Sequence, residues 1–88
     1  MKIIVITSPE FIPGEVSLIN TLLEGGVTRI HIRKPQAGIE EVRKLIEAID
    51  SRWHERLSLH DYHEMAIEYG CGIHLNARNP LPPEGWQG

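Results

Sequence analysis

Cysteine occurs once, at Cys71, so no intrachain disulfide can form, and a reducing cytoplasmic setting is the simplest expectation. Aromatic residues make up 6% of the chain, and the formal net charge of −3 is not broken by any lysine- or arginine-rich block. A nucleic-acid surface needs clustered basic residues, so no nucleic-acid partner is expected. Long hydrophobic runs are missing as well. The longest, Ile3 to Ile6, is far below the roughly 20 apolar residues that span a bilayer, so no membrane partner is expected. Met1-Lys2 followed by that short run also lacks the length and cleavage site of a secretory signal. With 41% hydrophobic and 24% charged residues, the 88-residue chain has the composition of one small soluble domain. A domain of this size buries a smaller share of its surface than a typical one.

The pattern along the chain alternates between two periods. Ile3-Ile4-Val5-Ile6 is a β-branched run of the kind found in strands buried on both faces of a parallel sheet. It stops at Thr7-Ser8-Pro9, where proline interrupts a ladder. From Glu15 onward Val16, Ile19, Leu22 and Leu23 recur at helical spacing, with Pro13-Gly14 before them and Gly25-Gly26 after. Thr28 to Arg33 alternates again, placing Ile30 and Ile32 on one face and Arg29, His31 and Arg33 on the other. A second amphipathic stripe follows in Ile39, Val42, Leu45, Ile46 and Ile49, with Glu40, Glu41, Arg43, Lys44 and Glu47 toward solvent. Trp53 and His54 close that helix. Leu57 to His60 is a short third strand, Asp61 has the chemistry of a helix N-cap, and Met65, Ala66 and Tyr69 mark a third helix ending at Gly70. Gly72 to Leu75 is the fourth strand. Residues 76–88 are rich in proline and glycine and read as a loop-like tail.

Strands alternating with helices imply βαβ units and a parallel sheet, with helices on one face. In such folds ligands bind at the carboxyl ends of the strands. Those ends carry Thr7 and Ser8, then Arg33 and Lys34, then His60 and Asp61, then Asn76, Arg78 and Asn79. Arginine offers a bidentate fork and lysine a point charge, so Arg33 with Lys34 suits an anion such as phosphate. Asp61 suits a magnesium ion or a proton-transfer group.

Each of these residues also has a plain structural reading. An Arg-Lys pair after a strand is also the composition of a solvated turn, and Asp61 alone is more often a cap than a ligand. His60 and His63 form a weak zinc signal without a third ligand. Cys71 and His74 have metal-like spacing, but residues three apart on a regular strand point to opposite faces. Cys71 reads as a buried structural thiol, and Glu40, Glu41 and Glu47 read as a solvated face.

At Arg29-Ile-His-Ile-Arg33-Lys34, and again from Leu59-His-Asp61-Tyr62 through Gly72-Ile-His-Leu75-Asn76, the chain resembles the thiamine phosphate synthase/TenI family. The resemblance covers essentially all 88 residues and the first four of eight strands. It implies a (β/α)8 TIM-barrel type fold of which this chain is the first, truncated half.

Carried over, the family's Gln-x-Arg-x-Lys pyrophosphate set meets His31 at the glutamine, Arg33 at the arginine and Pro35 at the lysine. Lys34 takes the place of a glutamate. Synthases also hold Mg²⁺ with an aspartate after strand three, matched by Asp61, and with another in a Gly-Gln-Glu-Asp turn after strand four. That turn reads Asn76-Ala77-Arg78-Asn79 here, so a neutral amide replaces the second acid. The resemblance thus implies a substrate and phosphate set of His31, Arg33, Lys34, His60, Asn76 and Asn79, with Asp61 as the Mg²⁺ ligand. The catalytic residues are expected in the second half of the barrel.

Two enzymatic readings follow from the resemblance. A synthase would couple thiazole phosphate to hydroxymethylpyrimidine pyrophosphate with Mg²⁺. A TenI-like tautomerase would aromatise a thiazole phosphate carboxylate with no metal, and the His-Ile-Arg sequence and Asn79 lean toward that branch. A reading of another class is a non-catalytic chain that pairs with a partner, or with itself, through open sheet edges.

Overall fold

A computed structural model of the chain describes residues 2–77 and 79–86; Arg78, named above at the fourth strand's end, lies outside them. The elements run β1 (Ile4–Ile6), α1 (Glu15–Glu24), β2 (Arg29–Ile32), α2 (Ile39–Ala48), a 3-10 turn (Ser51–Arg56), β3 (Leu57–Leu59), α3 (Glu64–Tyr69) and β4 (Gly72–Ile73). The four strands form one sheet in the order β1-β2-β3-β4, and every neighbouring pair is parallel. This is the alternation that the two sequence periods predict.

Register decides which residues share a face. Ile30 pairs with Leu57 and Ile32 with Leu59. These four are essentially fully buried and join Ile19, Leu23, Val42, Leu45, Ile46 and Met65 from the three helices in one core. Each such aliphatic side chain contributes roughly 1.5–3 kcal/mol relative to exposure. The opposite face carries Arg29, His31 and Ser58. Among the described residues no helix covers it, which corrects the expectation for the first strand: Ile4 and Ile6, in register with Arg29 and His31, are 55% and 58% exposed. Only Val5 packs against the core, because only its face meets the helices.

Helix ends are sealed partly from a distance. Gly14 enters α1 at φ 76°, a conformation that favours glycine. At the other end Arg56 donates to the carbonyls of Leu23, Val27 and Thr28, supplying partners that the helix terminus lacks. His54 does the same for α2. Its Nε2 lies 2.8 Å from the Ile46 carbonyl and 3.0 Å from that of Ile49. The expectation that His54 closes the second helix is met, although it acts from a separate 3-10 turn. Asp61 is not the cap of α3. That helix begins after His63 without a side-chain cap, and Tyr62 just before it sits at φ 56°. Nor does the tail hang free of the core, since Trp86 packs against it.

Candidate functional site

β1 and β2 are tied together at their carboxyl ends. The Thr7 amide donates to the His31 carbonyl at 3.0 Å, and the Arg33 amide donates to Thr7 Oγ1 at 3.0 Å. Arg33 therefore leaves the sheet with its backbone fixed and its side chain exposed. Among the described residues no hydrogen bond or ion pair occupies its guanidinium, which keeps it available to an anion.

Lys34 departs from the expectation that it binds phosphate. Its side chain is buried completely, and Nζ donates to Glu15 Oε2 at 2.7 Å, to the Ser8 carbonyl at 2.7 Å and to the Glu10 carbonyl. All three ammonium protons are used within the protein. One residue past Arg33, the chain turns its cation inward and clamps the β1–α1 loop onto α1.

At the ends of β2, β3 and β4 three imidazoles converge. His31 Nδ1 lies 2.9 Å from His60 Nε2. His60 and His74 stack with centroids 4.3 Å apart, and His31 meets the His74 ring at 5.2 Å. Register explains the grouping. His31 pairs with Ser58 and Ser58 with Gly72, so His60 and His74, each two residues further on, share their face. Burial, together with the neighbouring imidazoles of His74 and His31, pushes the His60 pKa down to about 4. Burial, His74 and Arg29 lower that of His31. His31 and His60 are therefore neutral rings at neutral pH.

Beside them Asn76 and Asn79 act as braces. Asn76 Nδ2 donates to the carbonyls of His60 at 2.6 Å and His74 at 3.3 Å. Asn79 Nδ2 donates to the His60 carbonyl at 3.2 Å and to Asp61 Oδ1 at 3.0 Å. The second asparagine thus meets Asp61 as a hydrogen-bond donor. Magnesium needs hard oxygen ligands. Among the described residues, the one group of three or more potential ligands close enough to share an ion is the histidine trio, and Asp61 is not in it. The protein's own groups at Asp61 do not fit a resident Mg²⁺, and substrate oxygens would have to complete its shell.

His63 is buried, its Nε2 without a hydrogen-bond partner among the described residues, and Cys71 is buried with its thiol pKa raised to about 11 by desolvation. Neither joins the cluster. Its spacing from Cys71 alone argues against His74 as a ligand. Its parity with Gly72, once Gly72 is placed opposite Ser58, is the signal that finds it. A separate concavity of about 500 Å³, lined by Phe11, Ile12, Glu15 and Lys44 among others, includes none of the three histidines.

Four parallel strands with helices on one side and polar groups gathered at the carboxyl rim define the protein class as an α/β half-fold of the (β/α)-barrel type. No protein-family model matches the chain, and no curated protein does. Among solved structures, a thiamine phosphate pyrophosphorylase from Bacteroides thetaiotaomicron superposes with a TM-score of 0.94 at 37% identity. The match covers 100% of this chain and 45% of that one, so the chain spans less than half of its neighbour's length. In sequence and fold the chain is similar to part of that thiamine phosphate pyrophosphorylase, which is consistent with the resemblance to the N-terminal half of the thiamine phosphate synthase/TenI family. None of its described helices is long and apolar enough to cross a membrane.

Proposed function

We propose that this chain forms the phosphate-recognising half of a cytoplasmic thiamine-biosynthesis barrel that couples thiazole phosphate to hydroxymethylpyrimidine pyrophosphate. The observation that carries the reading is the exposed, unoccupied Arg33 guanidinium, fixed at the carboxyl rim in a chain 37% identical to a thiamine phosphate pyrophosphorylase. Arg33 would neutralise the pyrophosphate as it leaves, where a preorganised cation stabilises developing charge. His31 and His60 line the floor beside it, and Asn76 and Asn79 hold that floor in place. Asp61 would contribute one carboxylate to a Mg²⁺ ion whose other ligands are phosphate oxygens and water.

The Asn79–Asp61 hydrogen bond favours a second reading. A turn that offers an amide donor in place of an acid suits a tautomerase working on thiazole phosphate carboxylate without metal. The test is a barrel completed with the part of the Bacteroides neighbour that this chain does not cover. Both products are measured with Mg²⁺ and with excess EDTA. Coupling that depends on Mg²⁺ and falls in Arg33→Ala supports the first reading. Ring isomerisation that persists in EDTA, without coupling, replaces it with the second.

A further inference from the structure

His31 and His60 belong to the expected substrate set and His74 to none, and neither reading gives the three rings a joint role. Their ligand nitrogens all lie within 4.8 Å of one another. Tetrahedral zinc with Zn–N bonds of about 2.0–2.1 Å places its nitrogens roughly 3.4 Å apart. His31 Nδ1 and His60 Nε2, at 2.9 Å, are already near that separation. The His74 ring is exposed, and its contacts among the described residues are ring contacts with His60 and His31, so it can turn about its side-chain torsions. That turn is required, because two face-stacked rings cannot both aim a lone pair at one ion. The backbone beneath is firm. The backbone amides of His60 and His74 donate hydrogen bonds to the Ile32 and Leu59 carbonyls, and Asn76 fastens the carbonyls of both.

We propose that His31, His60 and His74 form a three-histidine site for a transition-metal dication, Zn²⁺ foremost, with its fourth position open on the helix-free face. Imidazole ligands without carboxylates select zinc, nickel, cobalt or copper over magnesium. Three protein ligands and one open position is the arrangement of catalytic rather than structural zinc. Arg33 continues β2 on the same face, two residues beyond His31, so the open position suits an anionic fourth ligand. This site is distinct from the Asp61 position, and its existence does not depend on the proposed coupling activity.

The experiment uses the metal-stripped 88-residue chain. Zn²⁺ is titrated by calorimetry and Co²⁺ by visible absorption, with Mg²⁺ as competitor. The expected result is one ion per chain, tetrahedral-type cobalt bands, and no displacement by Mg²⁺. His74→Ala, at an exposed position that leaves the core intact, should weaken Zn²⁺ binding by at least about 100-fold, since loss of supporting residues alone costs 10–100-fold. Glu40→Ala should leave binding unchanged. Affinity no greater than that of the urea-unfolded chain overturns the proposal, as does one ion per two chains. So does His74→Ala binding as tightly as the unmodified protein.

Discussion

Replacing Lys34 by methionine keeps most of its length and removes its charge. In the folded chain this strands the Glu15 carboxylate, 6% exposed and already carrying one unpartnered oxygen, inside the β1–α1 corner. It also leaves the Ser8 and Glu10 carbonyls without their donor. Breaking a buried ion pair by removing one partner costs about 3–5 kcal/mol, because the remaining charge is uncompensated. Small domains have stabilities near the lower end of about 5–15 kcal/mol, so the loss should consume most of what this fold has. In a domain of this size each kcal/mol shifts Tm by roughly 4–8 °C. The assay is urea denaturation followed by circular dichroism at one low protein concentration. Lys44→Met on the exposed face of α2 is the control, expected within about 0.5 kcal/mol. Pairing Lys34→Met with Glu15→Gln should recover a large part of the loss, since the double variant buries no lone charge. If Lys34→Met is no worse than Lys44→Met, the buried clamp is wrong and Lys34 faces the rim after all.

Arg33→Ala should weaken pyrophosphate binding roughly ten- to a hundredfold, the equivalent of a charge-assisted hydrogen bond of about 1.5–3 kcal/mol, while Glu40→Ala leaves it unchanged. Calorimetric titration showing equal affinities would move the anion site elsewhere. In metal-free buffer the chain should lose stability as pH falls from about 6.5 to about 4. Over that range unfolded histidines take up protons that buried His60 and His31 refuse in the folded state, so the loss saturates below the folded pKa of His60. Urea midpoints that stay flat across that window would contradict it. Cys71, buried with a raised thiol pKa, should react with thiol reagents at pH 8 only as fast as the chain opens, and prompt labelling would refute this. The uncovered sheet face, with Ile4 and Ile6 exposed, should drive self-association. A sharp, concentration-independent monomeric melt by sedimentation and calorimetry would refute that.

The elements themselves were determined by the sequence. The change from alternation at Arg29–Ile32 to the four-residue rhythm of Val42, Leu45, Ile46 and Ile49 is a local property, and parallel pairing follows because each helix needs a sheet face to bury against. The set of polar groups at the strand ends was legible for the same reason. What each group does was not. Lys34 and Arg33 are adjacent and both cationic, yet Lys34 is fully buried because Glu15 and two carbonyls, 19 to 26 residues away, converge on it. Asp61 matched a cap by type, but Asn79, 18 residues on, takes its oxygen. The histidine trio depends on register across β2, β3 and β4, and a shift of one residue in any pairing would send one ring to the opposite face. Period is written in neighbouring residues, whereas burial, pairing and convergence depend on contacts between distant parts of the chain, and those existed only once the sheet had formed.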